Sequence, residues 1–121
     1  MLTKVGKNLV RDLICGATTN VYVNHAGLGT VGTDPTESDT GLNNNSNFGV
    51  SDTVKSVTFS TADKQVVFDY NLASTEGTGI TFREFGLSSS DANILFNRQT
   101  FYDLTHNNTE EWQISIAISI K

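Results

Sequence analysis

The sequence is poor in cysteine and basic residues, and each shortage closes off a class of function. A single cysteine, Cys15, leaves no partner for an intrachain disulfide. Set among Leu13, Ile14 and Gly16, its thiol reads as a small buried hydrophobe on a helix. A catalytic thiol needs a histidine and an electropositive pocket, and the sequence sets neither His25 nor His106 beside it. Neither histidine stands at metal-ligand spacing from a partner, so no metal and no cofactor are expected. Eight Lys plus Arg against 13 Asp plus Glu give a net charge of −5. The basic residues are scattered, which argues against a nucleic-acid partner held through phosphates. No apolar run is long enough to span a membrane. Lys4, Lys7, Arg11 and Asp12 break up the start, so no signal peptide is expected. The expectation is a soluble protein made in a cytoplasm.

The 121 residues fit one domain, 1–121, with one core. Hydrophobic residues make up 37%, which is lean. Seven Phe, three Tyr and one Trp still suffice for a thin sandwich. Either the fold is a thin β structure with polar loops, or neighbouring subunits contribute to its stability.

Residues 4–15 are predicted to form the one helix. Leu2, Val5, Leu9 and Leu13 recur at helical spacing, with Val10 and Ile14 widening the stripe. Thr3 suits the N-cap and Gly16 the left-handed position after the end. A strand is predicted at 19–24, from the alternation of Val21, Tyr22 and Val23. A polar, glycine-rich loop should then run from about 26 to 50. Within it Asp34, Pro35 and Glu37 suit the start of a short helical turn. Leu42 and Phe48 should pin the loop to the body, and 43–47 should be a solvated turn.

An antiparallel β body is predicted over about 52–121. Val57 and Phe59, then Val66, Phe68, Tyr70 and Leu72, read as a hairpin. A third strand at 80–87 loses phase in its middle, and a bulge near Arg83 and Glu84 would return Phe82, Phe85 and Leu87 to one face. A fourth strand is expected at 93–101, and a loop at 103–109. The last strand has the clearest pattern: Trp112, Ile114, Ile116, Ile118 and Ile120 alternate with Gln113, Ser115, Ala117 and Ser119. Burying five such side chains gives roughly 8–15 kcal/mol of gross stabilisation. That strand is expected at the centre of a sheet, with Trp112 facing the core. The fold class is therefore mainly β, an antiparallel sandwich or rolled sheet of five or six strands with one N-terminal helix.

Little in the sequence points to chemistry. Gly27-Leu28-Gly29-Thr30-Val31-Gly32 has the spacing of a dinucleotide-binding turn, but no apolar-striped helix follows it, so the glycines are expected to let a loop turn. Asp34, Glu37 and Asp39 cluster without the alternating ligand spacing of a calcium loop. Glu84 and Arg98 each interrupt an apolar strand, and pairing of those strands would bring them together as a structural ion pair near a sheet edge. No second carboxylate is positioned for acid–base work, and no enzyme activity is expected.

The order of motifs resembles small β-sandwich virion structural proteins of tailed phages and related archaeal viruses, of tail, tail-fibre-associated or capsid-decoration type. The resemblance covers most of the chain. It is carried by Asn8-Leu9-Val10-Arg11-Asp12-Leu13, Gly27-Leu28-Gly29-Thr30, Asp34-Pro35, Ser38-Asp39-Thr40-Gly41-Leu42, Phe82-Arg83-Glu84-Phe85-Gly86-Leu87, Ile94-Leu95-Phe96-Asn97-Arg98-Gln99-Thr100-Phe101 and Trp112-Gln113-Ile114. The chain departs from the family pattern at Phe85, where Ala or Val is usual, and in its Asn-rich first loop. The resemblance implies a non-enzymatic subunit of a tailed-virus particle that forms a homo-oligomer, with a trimer favoured, and contacts other virion proteins. The helix stripe of Leu2, Val5, Leu9 and Leu13 is the expected assembly contact. The alternative is a host-glycan-binding module, for which Tyr22 and Tyr102 are the candidate contacts.

Overall fold

A computed structural model describes residues 1–43, 48–91 and 93–121. The predicted solvated turn at 43–47 lies outside the described residues except for Asn43. The described residues form one α-helix, a short 3-10 turn at Ser51–Thr53 and two antiparallel sheets packed on each other. Helix α1 is Lys4–Cys15. The strands are β1 (His25–Gly29), β2 (Lys55–Ser56), β3 (Thr58–Ala62), β4 (Gln65–Leu72), β5 (Thr81–Ser89), β6 (Ile94–Leu95), β7 (Gln99–Thr105) and β8 (Trp112–Ser119). One sheet runs β2-β1-β5, and the far side of β5 pairs with β6 at one end and β7 at the other. The second sheet runs β3-β4-β8.

Helix α1 forms where the stripe predicts. The Thr3 hydroxyl accepts from the Gly6 N–H, and Gly16 closes the helix at φ 74°. Only its first half docks: Leu9 is buried, and Gly6 lies so close to the Phe96 backbone that a Cβ there would collide with it. The second half turns away, which corrects the reading of Cys15. Its thiol is exposed.

The first strand lies further along the chain than predicted. Residues 21–24 are outside any strand, and β1 begins at His25. Ala26 and Leu28 are fully buried in the core. The glycines expected to turn a loop lie in this strand instead. Gly27 pairs with Gly86, and Gly29 with Glu84. Paired residues share a face of a sheet, so these three glycines make the outer face of the first sheet almost bare. A Cβ at Gly27 would meet the Phe48 carbonyl, and one at Gly86 would come within 2.8 Å of the Asn97 carbonyl. The absent side chains let covering backbone lie flat against the sheet. Leu42 is fully buried and Phe48 half-buried, so both pin the loop as expected.

The hairpin β3–β4 has the predicted place, joined by Asp63 and Lys64, with Lys64 in the left-handed region at φ 58°. The irregularity in β5 also falls where predicted. Phe82 pairs with Leu104 but Glu84 with Thr100, so two steps on β5 match four on β7. Phe82, Phe85 and Leu87 all join the core. The single strand predicted at 93–101 is broken into β6 and β7, and β7 continues through much of the loop expected at 103–109. The break has a cause. The Thr3 N–H donates to the Phe96 carbonyl at 3.1 Å, Leu2 bridges Asn97, and the Arg98 N–H donates to the Met1 carbonyl at 3.0 Å. The N-terminus takes the hydrogen bonds that a continuous ladder would have used.

The last strand shows the predicted alternation in the wrong position. β8 is an edge strand, not a central one: among the described residues it pairs with β4 alone. Trp112 faces the core as expected, edge-to-face with Phe82 at 5.8 Å and with His106 at 4.8 Å. Ile116 is buried and Ile120 is 77% exposed.

Candidate functional site

The strongest polar constellation centres on Glu84 and Arg98. The Arg98 Nε donates to Glu84 Oε1 at 2.8 Å. Arg98 lies between the edge strands β6 and β7, and Glu84 one strand further in. Glu84 is on the inner strand β5, fully buried under the covering loop, and Arg98 is 3% exposed. Glu84 Oε2 accepts from the Val31 N–H and the Asn43 N–H, both at 2.9 Å. Arg98 donates to the carbonyls of Thr33 at 2.9 Å and Val31 at 3.0 Å, and to Asp39 Oδ2 at 3.2 Å. One ion pair thus closes both ends of the segment 31–43 onto the sheet. Gly29, opposite Glu84, leaves room for it: a Cβ there would stand 2.5 Å from Glu84 Oε2.

Asp39, not Asp34, organises the turn in this loop. It accepts from the Thr36 N–H at 2.9 Å, while Asp34 is exposed and the expected helical turn does not form. Burial pushes the Asp39 carboxyl up, but the bonds from Thr36 and the charge of Arg98 outweigh it and hold the group below its ordinary value. Glu37 pairs with Lys7 on α1, tying loop to helix, and that bond lowers its pKa. Sequence reasoning missed this use of Asp39, because only the fold brings residue 39 to residue 98.

A second anchor ties β4 to the segment that precedes β2. The Tyr70 hydroxyl donates to the Thr53 carbonyl at 2.6 Å, and burial raises its pKa strongly. Lys55 Nζ reaches Glu76 Oε1 at 2.6 Å, which lowers the Glu76 pKa. Among the described residues, no group of three His, Cys, Asp or Glu could hold a metal ion. No helix among them is long and apolar enough to cross a membrane.

The predicted contact stripe on the helix is divided by the structure. Leu9 is buried inside the protomer, and Leu2 and Val5 are half-buried there, Leu2 in the bridge to Asn97. Leu13 is exposed, beside Val10 and Ile14, of which Ile14 is 82% exposed. Val10 and Leu13 line an apolar groove with Tyr22, Val57, Phe59 and Val66. The groove exists because β3 and the adjoining part of β4 reach beyond the cover of the first sheet. Phe59, paired with the buried Phe68, is 68% exposed. Tyr102, on β7, is 93% exposed and does not line this groove, so the two candidate glycan-contacting tyrosines do not meet there.

No family model matches the chain, and the searches of curated proteins and of solved structures returned no match.

Proposed function

We propose that the chain is a non-enzymatic structural subunit of a tailed-virus particle, on its tail or fibre apparatus or its capsid surface, that works by assembling with its own copies and other virion proteins. The observation that carries the assembly reading is the apolar groove of Val10, Leu13, Tyr22 and Phe59, with Ile14 exposed next to Leu13 on the helix. A small acidic domain that leaves such side chains in water gains by covering them. The polar chemistry described above is spent on holding the covering loop rigid, which suits a part that presents surface. The virion setting rests on the ordered motifs. Two of them, Phe82 to Leu87 and Ile94 to Phe101, contain Glu84 and Arg98, which build the ion pair.

The test is to look for the chain on purified particles by mass spectrometry and antibody labelling. Stoichiometric presence is expected, and particles without it would end this reading. Leu13→Asp with Ile14→Asp should then abolish incorporation while leaving the isolated domain folded. The exposure of Tyr22 and Tyr102 favours a second reading, recognition of host glycans. A glycan array is expected to show no binding, and a hit lost in Tyr102→Ala would establish the second reading instead.

A further inference from the structure

A free strand edge is a row of unpaired backbone donors and acceptors, and natural sheets blunt it with lysine, proline, a bulge or a short length. β8 has none of these protections. It pairs with β4 through eight consecutive residues, from Gln65 with Ser119 to Leu72 with Trp112, without a shift in register. Among the described residues no strand pairs with its other side. From Trp112 to Ser119 it contains neither a charge nor a proline. The other edges differ: β7 carries Asp103 and an irregular register, while β3 and β2 are shorter.

We propose that β8 joins two copies of the chain, strand to strand and antiparallel, so that β3-β4-β8 of each becomes half of one six-stranded sheet. This deepens the self-assembly reading above and rests on it. A twofold axis sets β8 antiparallel to its own copy, the stronger pairing. A ring in which β8 met β3 of the next copy would set the strands parallel, because both run against β4. The proposal therefore replaces the threefold arrangement expected from the resemblance with a twofold one.

The pleat and the charges choose the register. The apolar face stays continuous only if even-numbered residues face even-numbered ones, since a one-residue slip turns the side chains over. With Ile116 opposite its own copy, Glu111, five residues before it, faces Lys121, five residues after it, at both ends of the contact. Both are exposed, and among the described residues neither has an ion-pair partner in its own protomer. The same register sets Trp112 against Ile120, the most exposed member of the apolar row. It also sets Ile118 and Ile120 of the second copy beside the cleft between β7 and β8, which is lined by Phe85, Phe101, Leu104, Trp112 and Ile114.

Sedimentation of the whole chain over a concentration series tests this. A dimer is expected. Glu111→Lys and Lys121→Glu should each weaken it roughly fivefold or more, since either substitution makes both end pairs repulsive. The doubly reversed chain should regain the original affinity. Both positions are exposed, and a circular dichroism melt checks that each variant folds. In a Cys15→Ser background, Ser115→Cys with Ala117→Cys should give a disulfide-linked dimer, because this register sets residue 115 opposite residue 117 of the second copy. A monomer at every concentration, a trimer, or a dimer indifferent to both charge reversals overturns the proposal. A chain that is present on particles but monomeric in solution sinks this contact and leaves the virion reading intact. A β8 dimer absent from particles does the reverse.

Discussion

At the scale of single residues, the buried ion pair decides most. Glu84 and Arg98 are surrounded by sheet and loop, so each charge depends on the other and on the backbone groups around them. Removing one charge from such a pair strands its partner. Glu84→Gln keeps an oxygen for the Val31 and Asn43 N–H groups but turns a neutral amide toward Arg98. Asp39 remains beside the guanidinium and softens the loss. The expected cost is about 3 kcal/mol, read as a fall in melting temperature of roughly 10 °C; an unchanged melt would mean that the pair contributes no net stability. Acid should act on the same cluster. The folded Asp39 pKa lies below the ordinary value of 3.8. Its contribution is therefore present above that value and is lost as pH falls below it, through the lowered folded pKa. The melting temperature is expected to hold steady through neutral pH and to drop below about pH 4, with a shallower drop in Asp39→Asn.

At the scale of elements, small residues matter as much as apolar ones. β1 is read most naturally as a loop, because His-Ala-Gly-Leu-Gly has little strand propensity. It forms because Ala26 and Leu28 face the core while Gly27 and Gly29 leave space for Phe48 and Glu84. Gly27→Ala should therefore destabilise the protein by roughly 1–3 kcal/mol, since the Phe48 backbone has to move. Gly32→Ala should be nearly silent, because a Cβ there meets only the flexible Arg83 side chain, at 3.3 Å. Equal effects in parallel thermal melts would refute this account of β1. The N-terminus belongs to the same scale. Removing residues 1–16 would look, from the sequence, like a clean removal of a contact helix. In the structure it would also take away the bonds from Met1, Leu2 and Thr3 to residues 95–98. Substitutions at Leu13 and Ile14 are the cleaner probe, because these side chains carry no such bonds.

At the scale of the whole molecule, the two sheets do not cover each other fully. One overhang exposes Phe59 and Val66 beside the second half of α1. An apolar dye such as ANS should bind the native chain there. Phe59→Ser should remove much of the fluorescence and cost under about 1 kcal/mol, because that ring is already mostly in water. Undiminished dye binding in Phe59→Ser would place the dye elsewhere, for instance in the cleft between β7 and β8. A lean composition thus has a structural counterpart: the core is complete only in the middle of the sandwich, around Phe68, Tyr70, Leu72, Phe82, Phe85 and Leu87.

Periodicity by itself determined the helix at 4–15, the β3–β4 hairpin, the irregularity beside Glu84 and the alternating faces of the last strand. Each of these depends on neighbours a few residues apart, whose side chains must share one stripe or one face. Only the tertiary structure decided which strands lie inside a sheet and which at its edge. A strand's own pattern says which face is apolar, not whether its backbone groups meet one neighbour or two. That is why Trp112–Ser119, with the strongest pattern in the chain, lies at an edge, while the glycine-rich β1 lies between β2 and β5. Tertiary structure also decided that Glu84, Arg98 and Asp39 converge, because a loop folded back over bare glycines brings their distant positions together.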